Sequence, residues 1–115
     1  MMIGDATTAG LQAALHALDV RRTAHEANIA NVETPGYKAR SVDFESELRR
    51  AMDSGGPLAV SPNVSVSNEA GRANGNNVNV SREMVALTET ALTQELVIRA
   101  MNDKYGLIRT AAGNG

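Results

Sequence analysis

Along the first third of the chain, apolar residues return at Leu11, Leu15, Leu18, Ile29 and Val32, with Arg22 and His25 on the same line. Steps alternating between four and three trace one face of a helix, so the pattern predicts a helix over residues 7–33, capped by Thr7 or Thr8. Thr34-Pro35-Gly36-Tyr37 ends it. Proline disfavours helix in the residue before it, and Pro-Gly fits the two central positions of a type II turn, which asks for a positive φ at Gly36.

A shorter helical signal follows from Ser41 to Ala51. Phe44, Leu48 and Met52 fall on one face, Ser41 or Asp43 serves as cap, and Asp53-Ser54-Gly55-Gly56-Pro57 is the stop. From Pro57 to Asn79 the chain turns to Gly, Asn, Ser and Pro; Val60, Val64 and Val66 alternate with polar residues there. That stretch fits one or two short strands and fits an irregular loop equally. A last helix is expected over residues 81–111, with Ser81 as cap, Glu83 in its first turn and Gly113 as stop. Met84, Leu87, Ala91, Ile98, Met101, Tyr105 and Ile108 repeat in it at coiled-coil spacing, interrupted by Gln94.

The elements give one domain, residues 1–115, mainly α: long amphipathic helices at both ends pairing as a coiled coil, a short middle helix, and a flexible or weakly β central loop. Paired antiparallel with matched ends, the helices would set Arg22 beside Gln94 and Glu95, and His25 near Ala91. Composition changes this picture in one respect. Aromatics make up 3% of the chain, and the apolar content is carried by Ala, Val and Leu. Such a chain builds a thin core, so the stripes read as surfaces that partners complete, and as unpaired helices that are mobile in a free subunit.

Charge and candidate chemistry mostly exclude. A formal net charge of -2 gives no one-signed basic field for nucleic acid. There is no cysteine, and no apolar run approaches a membrane span. Met1–Gly10 lacks a basic n-region, so any export is expected to leave the N-terminus uncut. His16 and His25 fall on opposite helix faces and cannot share a metal ion. Asn74-Gly75-Asn76-Asn77-Val78-Asn79 lacks the carboxylates of a calcium loop and reads as a turn. No phosphate loop or nucleophile motif is present, and Asp43, Glu45, Glu47, Glu89 and Glu95 are scattered. No catalytic residue, cofactor or metal ligand is expected.

The run Asn28-Ile29-Ala30-Asn31-Val32-Glu33-Thr34-Pro35-Gly36-Tyr37-Lys38 resembles the signature of the flagellar rod, hook and hook-associated proteins, Asn-Ile-Ala-Asn-x-x-Thr-Pro-Gly-Tyr. Asn28, Ile29, Ala30, Asn31, Thr34, Pro35, Gly36 and Tyr37 carry the match. The stretches Asp43–Leu48 and Gly75–Met84, with the chain's length, are similar to the proximal-rod branch of that family.

This resemblance implies a non-enzymatic structural subunit of the basal body. It would pass uncut through the flagellar type III export apparatus and assemble in the periplasmic rod through its terminal helices. Implied partners are copies of itself, FlgC, FliE and the membrane-ring protein FliF. The expected assembly residues are Leu11, Leu15, Leu18, Arg22, His25, Ile29, Val32, Met84, Leu87, Ala91, Glu95, Ile98, Met101, Tyr105 and Ile108. Two rival readings use the same stripes: another rod subunit of the FlgC kind, and a soluble helical adaptor or export chaperone.

Overall fold

A computed structural model describes residues 5–54 and 60–114 of the chain. Two long helices, α1 (Asp5–Ala30) and α3 (Val80–Asn114), pack against each other. Between them lie strand β1 (Arg40–Asp43), helix α2 (Glu45–Ser54) and strand β2 (Asn63–Val66). The molecule measures 66 × 25 × 14 Å. Its radius of gyration of 18.0 Å exceeds the roughly 13 Å of a compact domain this long.

Helix α1 begins before Thr7 and Thr8, which sit inside it, and it ends at Ala30, with Asn31–Glu33 in a turn. Past Ala30 the backbone bonds tighten to three-residue steps, Val32 N–H to the Ile29 carbonyl at 3.2 Å and Thr34 N–H to the Asn31 carbonyl at 3.0 Å, and Asn31 Nδ2 adds a bond to the Ala27 carbonyl at 2.8 Å. Beyond it, Tyr37 N–H bonds the Thr34 carbonyl at 3.2 Å across Pro35 and Gly36. Gly36 has φ 74°, so the expected type II turn is formed.

Ser41–Asp43, expected to open the middle helix, is instead strand, and α2 starts after Phe44. Phe44 is the cap in place of Ser41 or Asp43: its carbonyl accepts Leu48 N–H at 2.9 Å and its own N–H reaches Glu45 Oε1 at 3.3 Å. Burial of Val42 and cross-strand pairing outweigh helical propensity there. β1 pairs antiparallel with β2, Val42 opposite Val64 and Arg40 opposite Val66, so one short strand forms in the central stretch. The expected stop at Gly55-Gly56-Pro57 lies outside the described residues.

Helix α3 starts at Val80, one residue before the expected cap, because Asn79 takes that role: its Oδ1 accepts Arg82 N–H at 3.0 Å and its carbonyl accepts Glu83 N–H at 2.9 Å. At the other end α3 continues through Gly113. The apolar core is small: Ala17, Leu18 and Phe44, with Ala14, Leu48, Val60 and Val97 packed around them. It sits where α1, α2 and α3 meet, and about half the length of α3 extends past Val97.

Candidate functional site, a polar junction beside open apolar seams

The family-signature segment folds into a junction built by asparagines. Asn28, wholly buried near the end of α1, donates Nδ2 hydrogens to the Arg40 carbonyl at 2.8 Å and to Glu83 Oε1 at 2.7 Å. Its Oδ1 accepts Arg40 N–H at 2.9 Å and the Tyr37 hydroxyl at 3.3 Å. One side chain thus ties α1 to β1, the turn and α3. His25, one turn earlier, places Nδ1 2.7 Å from the same Glu83 oxygen. A carboxylate only accepts, so that nitrogen carries the hydrogen.

Asn76 is the second anchor. It too is wholly buried, and its Nδ2 donates to the Asn31 and Thr34 carbonyls, each at 2.8 Å. Its Oδ1 accepts Val78 N–H at 2.9 Å. Asn77 Oδ1 accepts Ala39 N–H at 2.7 Å, and Gly36 N–H bonds the Asn74 carbonyl at 2.9 Å. Arg72 adds a bridge, donating to the Val78 carbonyl at 2.7 Å and the Val32 carbonyl at 2.6 Å. The stretch read from sequence as a simple turn is therefore the counterpart of the signature, and its density of asparagine was the one visible sign.

Arg21 fastens the next segment. It donates to the Val42 carbonyl and to both oxygens of Glu45, at 2.7 and 2.8 Å, with its guanidinium 4.6 Å from the centre of the Phe44 ring. Those bonds hold the Glu45 carboxyl down at about 2, against an ordinary 4.5. On β1, Asn28 takes both polar groups of Arg40 and Arg21 takes the carbonyl of Val42, so the outer edge of the strand is sealed by helix side chains.

Of the residues expected to pack the helices, Leu18 and His25 are buried, while Leu11, Leu15, Ile29, Val32, Leu87 and Met101 are partly so. Met84, Ala91, Glu95, Ile98, Tyr105 and Ile108 are exposed. The line of α3 that faces α1 runs instead through Glu83, Thr90 and Gln94, with Ala86 and Val97 partly buried. Alanines at 14 and 17 of α1 admit a close approach, and Thr90 is tolerated there because its hydroxyl bonds the Ala86 carbonyl of its own helix at 2.8 Å.

Arg22 pairs with Asp19 at 2.6 Å and Glu95 with Arg99 at 3.0 Å, so the Arg22–Glu95 contact is not made. Arg22 does share a shallow groove with Gln94. His25 meets Glu83, about two turns nearer the start of α3 than Ala91.

The junction spends its hydrogen-bonding capacity on itself: among the described residues no buried side-chain nitrogen or oxygen lacks a partner. Among the same residues no group of three or more His, Asp or Glu is placed to hold a metal ion. What remains open is apolar. Met84, Val85, Leu92, Leu96, Ile98, Tyr105, Leu107 and Ile108 on α3 all present large apolar side chains to solvent.

No family model matches the chain. It is 27% identical over 128 residues, covering all of this chain and 99% of the relative, to the flagellar basal body rod protein FlgB of Bacillus subtilis. Over 54 residues, 44% of this chain and 39% of the relative, it is 46% identical to FlgB of Escherichia coli. With FlgB of Salmonella typhimurium it shares 47% over 51 residues, 42% of this chain and 37% of the relative.

Proposed function

We propose, from the premise that this chain belongs to the FlgB family of flagellar basal-body rod proteins, that it builds the proximal rod by self-assembly through its terminal helices after type III export. Membership makes it a structural subunit of the basal-body rod and not an enzyme. No helix among the described residues is long and apolar enough to cross a membrane.

The observation that carries the assembly reading is the apolar surface left open on α3. A helix apolar on several sides is one that its surroundings bury. The polar junction sets the direction in which the middle segment leaves the helical pair, while the uncovered seams supply the adhesion. The neighbours in this reading are further copies, FlgC, FliE and FliF, and the place is the periplasmic rod. An export chaperone would instead cover its own apolar surface in a compact dimer, whereas this chain is elongated.

The test is mass spectrometry of purified, detergent-extracted basal bodies from the source cell. Recovery of the chain in amounts comparable to other rod proteins supports the proposal. A chain confined to the cytoplasm refutes it and leaves the adaptor reading.

A further inference from the structure

Glycine follows asparagine twice in this sequence, at Asn74-Gly75 and at Asn114-Gly115. Glycine has no Cβ to shield its nitrogen, so this dipeptide is where an asparagine amide is most open to attack by the next backbone nitrogen. In that reaction the Gly75 nitrogen loses its hydrogen and bonds Asn74 Cγ. The Cγ–Nδ2 bond breaks, ammonia leaves with that hydrogen, and a cyclic imide remains. Water then opens the ring. Opening at Cγ gives aspartate, and opening at the main-chain carbonyl gives isoaspartate, in which the backbone runs through the former side chain.

Asn74 is exposed, so base and water reach it, and what the fold offers against the reaction is hydrogen bonding. Gly75 N–H donates to the Arg72 carbonyl at 2.8 Å, so a deprotonated nitrogen would face the lone pairs of that oxygen. The Asn74 carbonyl accepts Gly36 N–H at 2.9 Å, and Asn74 Oδ1 accepts Asn76 N–H at 3.1 Å. The second of these bonds polarises the amide, but with Gly75 N–H engaged there is no nucleophile to exploit it. Lys38 Nζ holds the Gly75 carbonyl at 2.5 Å, and Arg72 N–H closes the loop on the Asn76 carbonyl at 2.8 Å.

We propose that Asn74-Gly75 is a self-modification site, silenced while the junction is closed and active while it is open. Isoaspartate inserts a methylene into the main chain just before Asn76, whose buried side chain holds the Asn31 and Thr34 carbonyls. The loop has no slack for it: even a Cβ added at Gly71 would lie 2.6 Å from the Gly75 carbonyl oxygen. A chain modified while open therefore cannot close the junction in register, and time spent open is recorded as a covalent change. This holds whether or not the chain is a rod subunit.

The full-length chain is incubated in mildly alkaline buffer, with and without guanidinium chloride, and then digested with trypsin. Arg72 and Arg82 bound a peptide of residues 73–82, and fragmentation assigns amide-to-acid conversion to Asn74, Asn76, Asn77 or Asn79. In denaturant Asn74 converts first. Without denaturant the Gly75–Arg72 and Gly36–Asn74 bonds must open, which slows conversion by at least about tenfold. Equal rates in the two samples overturn the proposal, and so does an Asn74 that fails to convert first in denaturant.

Refolding tests the consequence. Chains modified in denaturant are returned to buffer and separated by size exclusion, and isoaspartate should collect in the unfolded fraction. Asn74→Asp carries the new charge on an ordinary backbone and keeps an oxygen for Asn76 N–H, so this variant should refold, as read by far-UV circular dichroism. Isoaspartate spread evenly between folded and unfolded fractions overturns the consequence. An Asn74→Asp chain that stays unfolded overturns it too, because the charge and not the longer backbone would then be the obstacle.

Discussion

Replacing Asn28 by alanine tests whether the family signature is a structural lock. The side chain is wholly buried and makes four hydrogen bonds: to Glu83 at 2.7 Å, to the Arg40 carbonyl at 2.8 Å, from Arg40 N–H at 2.9 Å and from the Tyr37 hydroxyl at 3.3 Å. The bond to the carboxylate is charge-assisted and is worth about 2 kcal/mol. The two to Arg40 contribute about 1 kcal/mol each, and the long one from Tyr37 rather less. Truncation strands those partners in a buried site, so the expected loss is about 4 kcal/mol, out of the roughly 5–15 that a domain of this size has.

Chemical denaturation followed by far-UV circular dichroism reads the loss directly, and the melting temperature should fall by about 15 °C. Asn102→Ala, on the exposed surface of α3, is the control and should change stability by less than about 0.5 kcal/mol. In a double-mutant cycle with Glu83→Ala, the coupling to Asn28 should reach about 2 kcal/mol. A loss below about 1.5 kcal/mol for Asn28→Ala would refute the reasoning, showing that the junction is held by its backbone geometry.

Further predictions follow from the turns and the Arg21 clamp. An added Cβ at Gly36 meets nothing within 4 Å, so Gly36→Ala should cost only the backbone penalty at φ 74°, about 1–2 kcal/mol, with Gly36→Asn recovering part of it. Gly71→Ala should cost more although its φ is ordinary, because the new Cβ would lie 2.6 Å from the Gly75 carbonyl oxygen; equal melting temperatures for the two alanine variants would contradict this. Glu45 titrates at about 2, below its ordinary 4.5, so the stability it contributes is fully present above 4.5 and drains away as the pH falls toward 2. That contribution is about 1 kcal/mol, because the side chain is 56% exposed and solvent screens the pair; Glu45→Gln should flatten the stability curve over that interval, and an unchanged curve would count against it.

What the sequence revealed and what it hid divide along the range of the interactions involved. The stop at Thr34-Pro35-Gly36-Tyr37 was legible because proline and glycine act within their own turn. Both long helices were legible because their periodicity runs over many residues. Ser41–Asp43 was not legible, since a strand of four residues owes its shape to Asn28, Arg21 and β2, all distant in the chain. The contact line of α3 was hidden for a related reason. Its most apolar spacing runs through Met84, Ala91 and Ile98, yet an alanine-lined α1 selects Glu83, Thr90 and Gln94. Counting hydrophobic residues finds the surface with most to bury, and in this chain that surface is not the one buried within the subunit.

The span of the Asn28 and His25 contacts also governs when the structure can close. Glu83 lies 55 residues beyond Asn28 and 58 beyond His25. Contacts across such separations form slowly, because the intervening chain must first be gathered in. During synthesis or any passage in which the N-terminus leads, α1 therefore waits unlatched until the start of α3 has arrived. The junction is a timer as well as a joint: the turn and the fastenings of β1 lie within the first part of the chain, while the latch between α1 and α3 at Glu83 closes only after about two-thirds of the chain has followed.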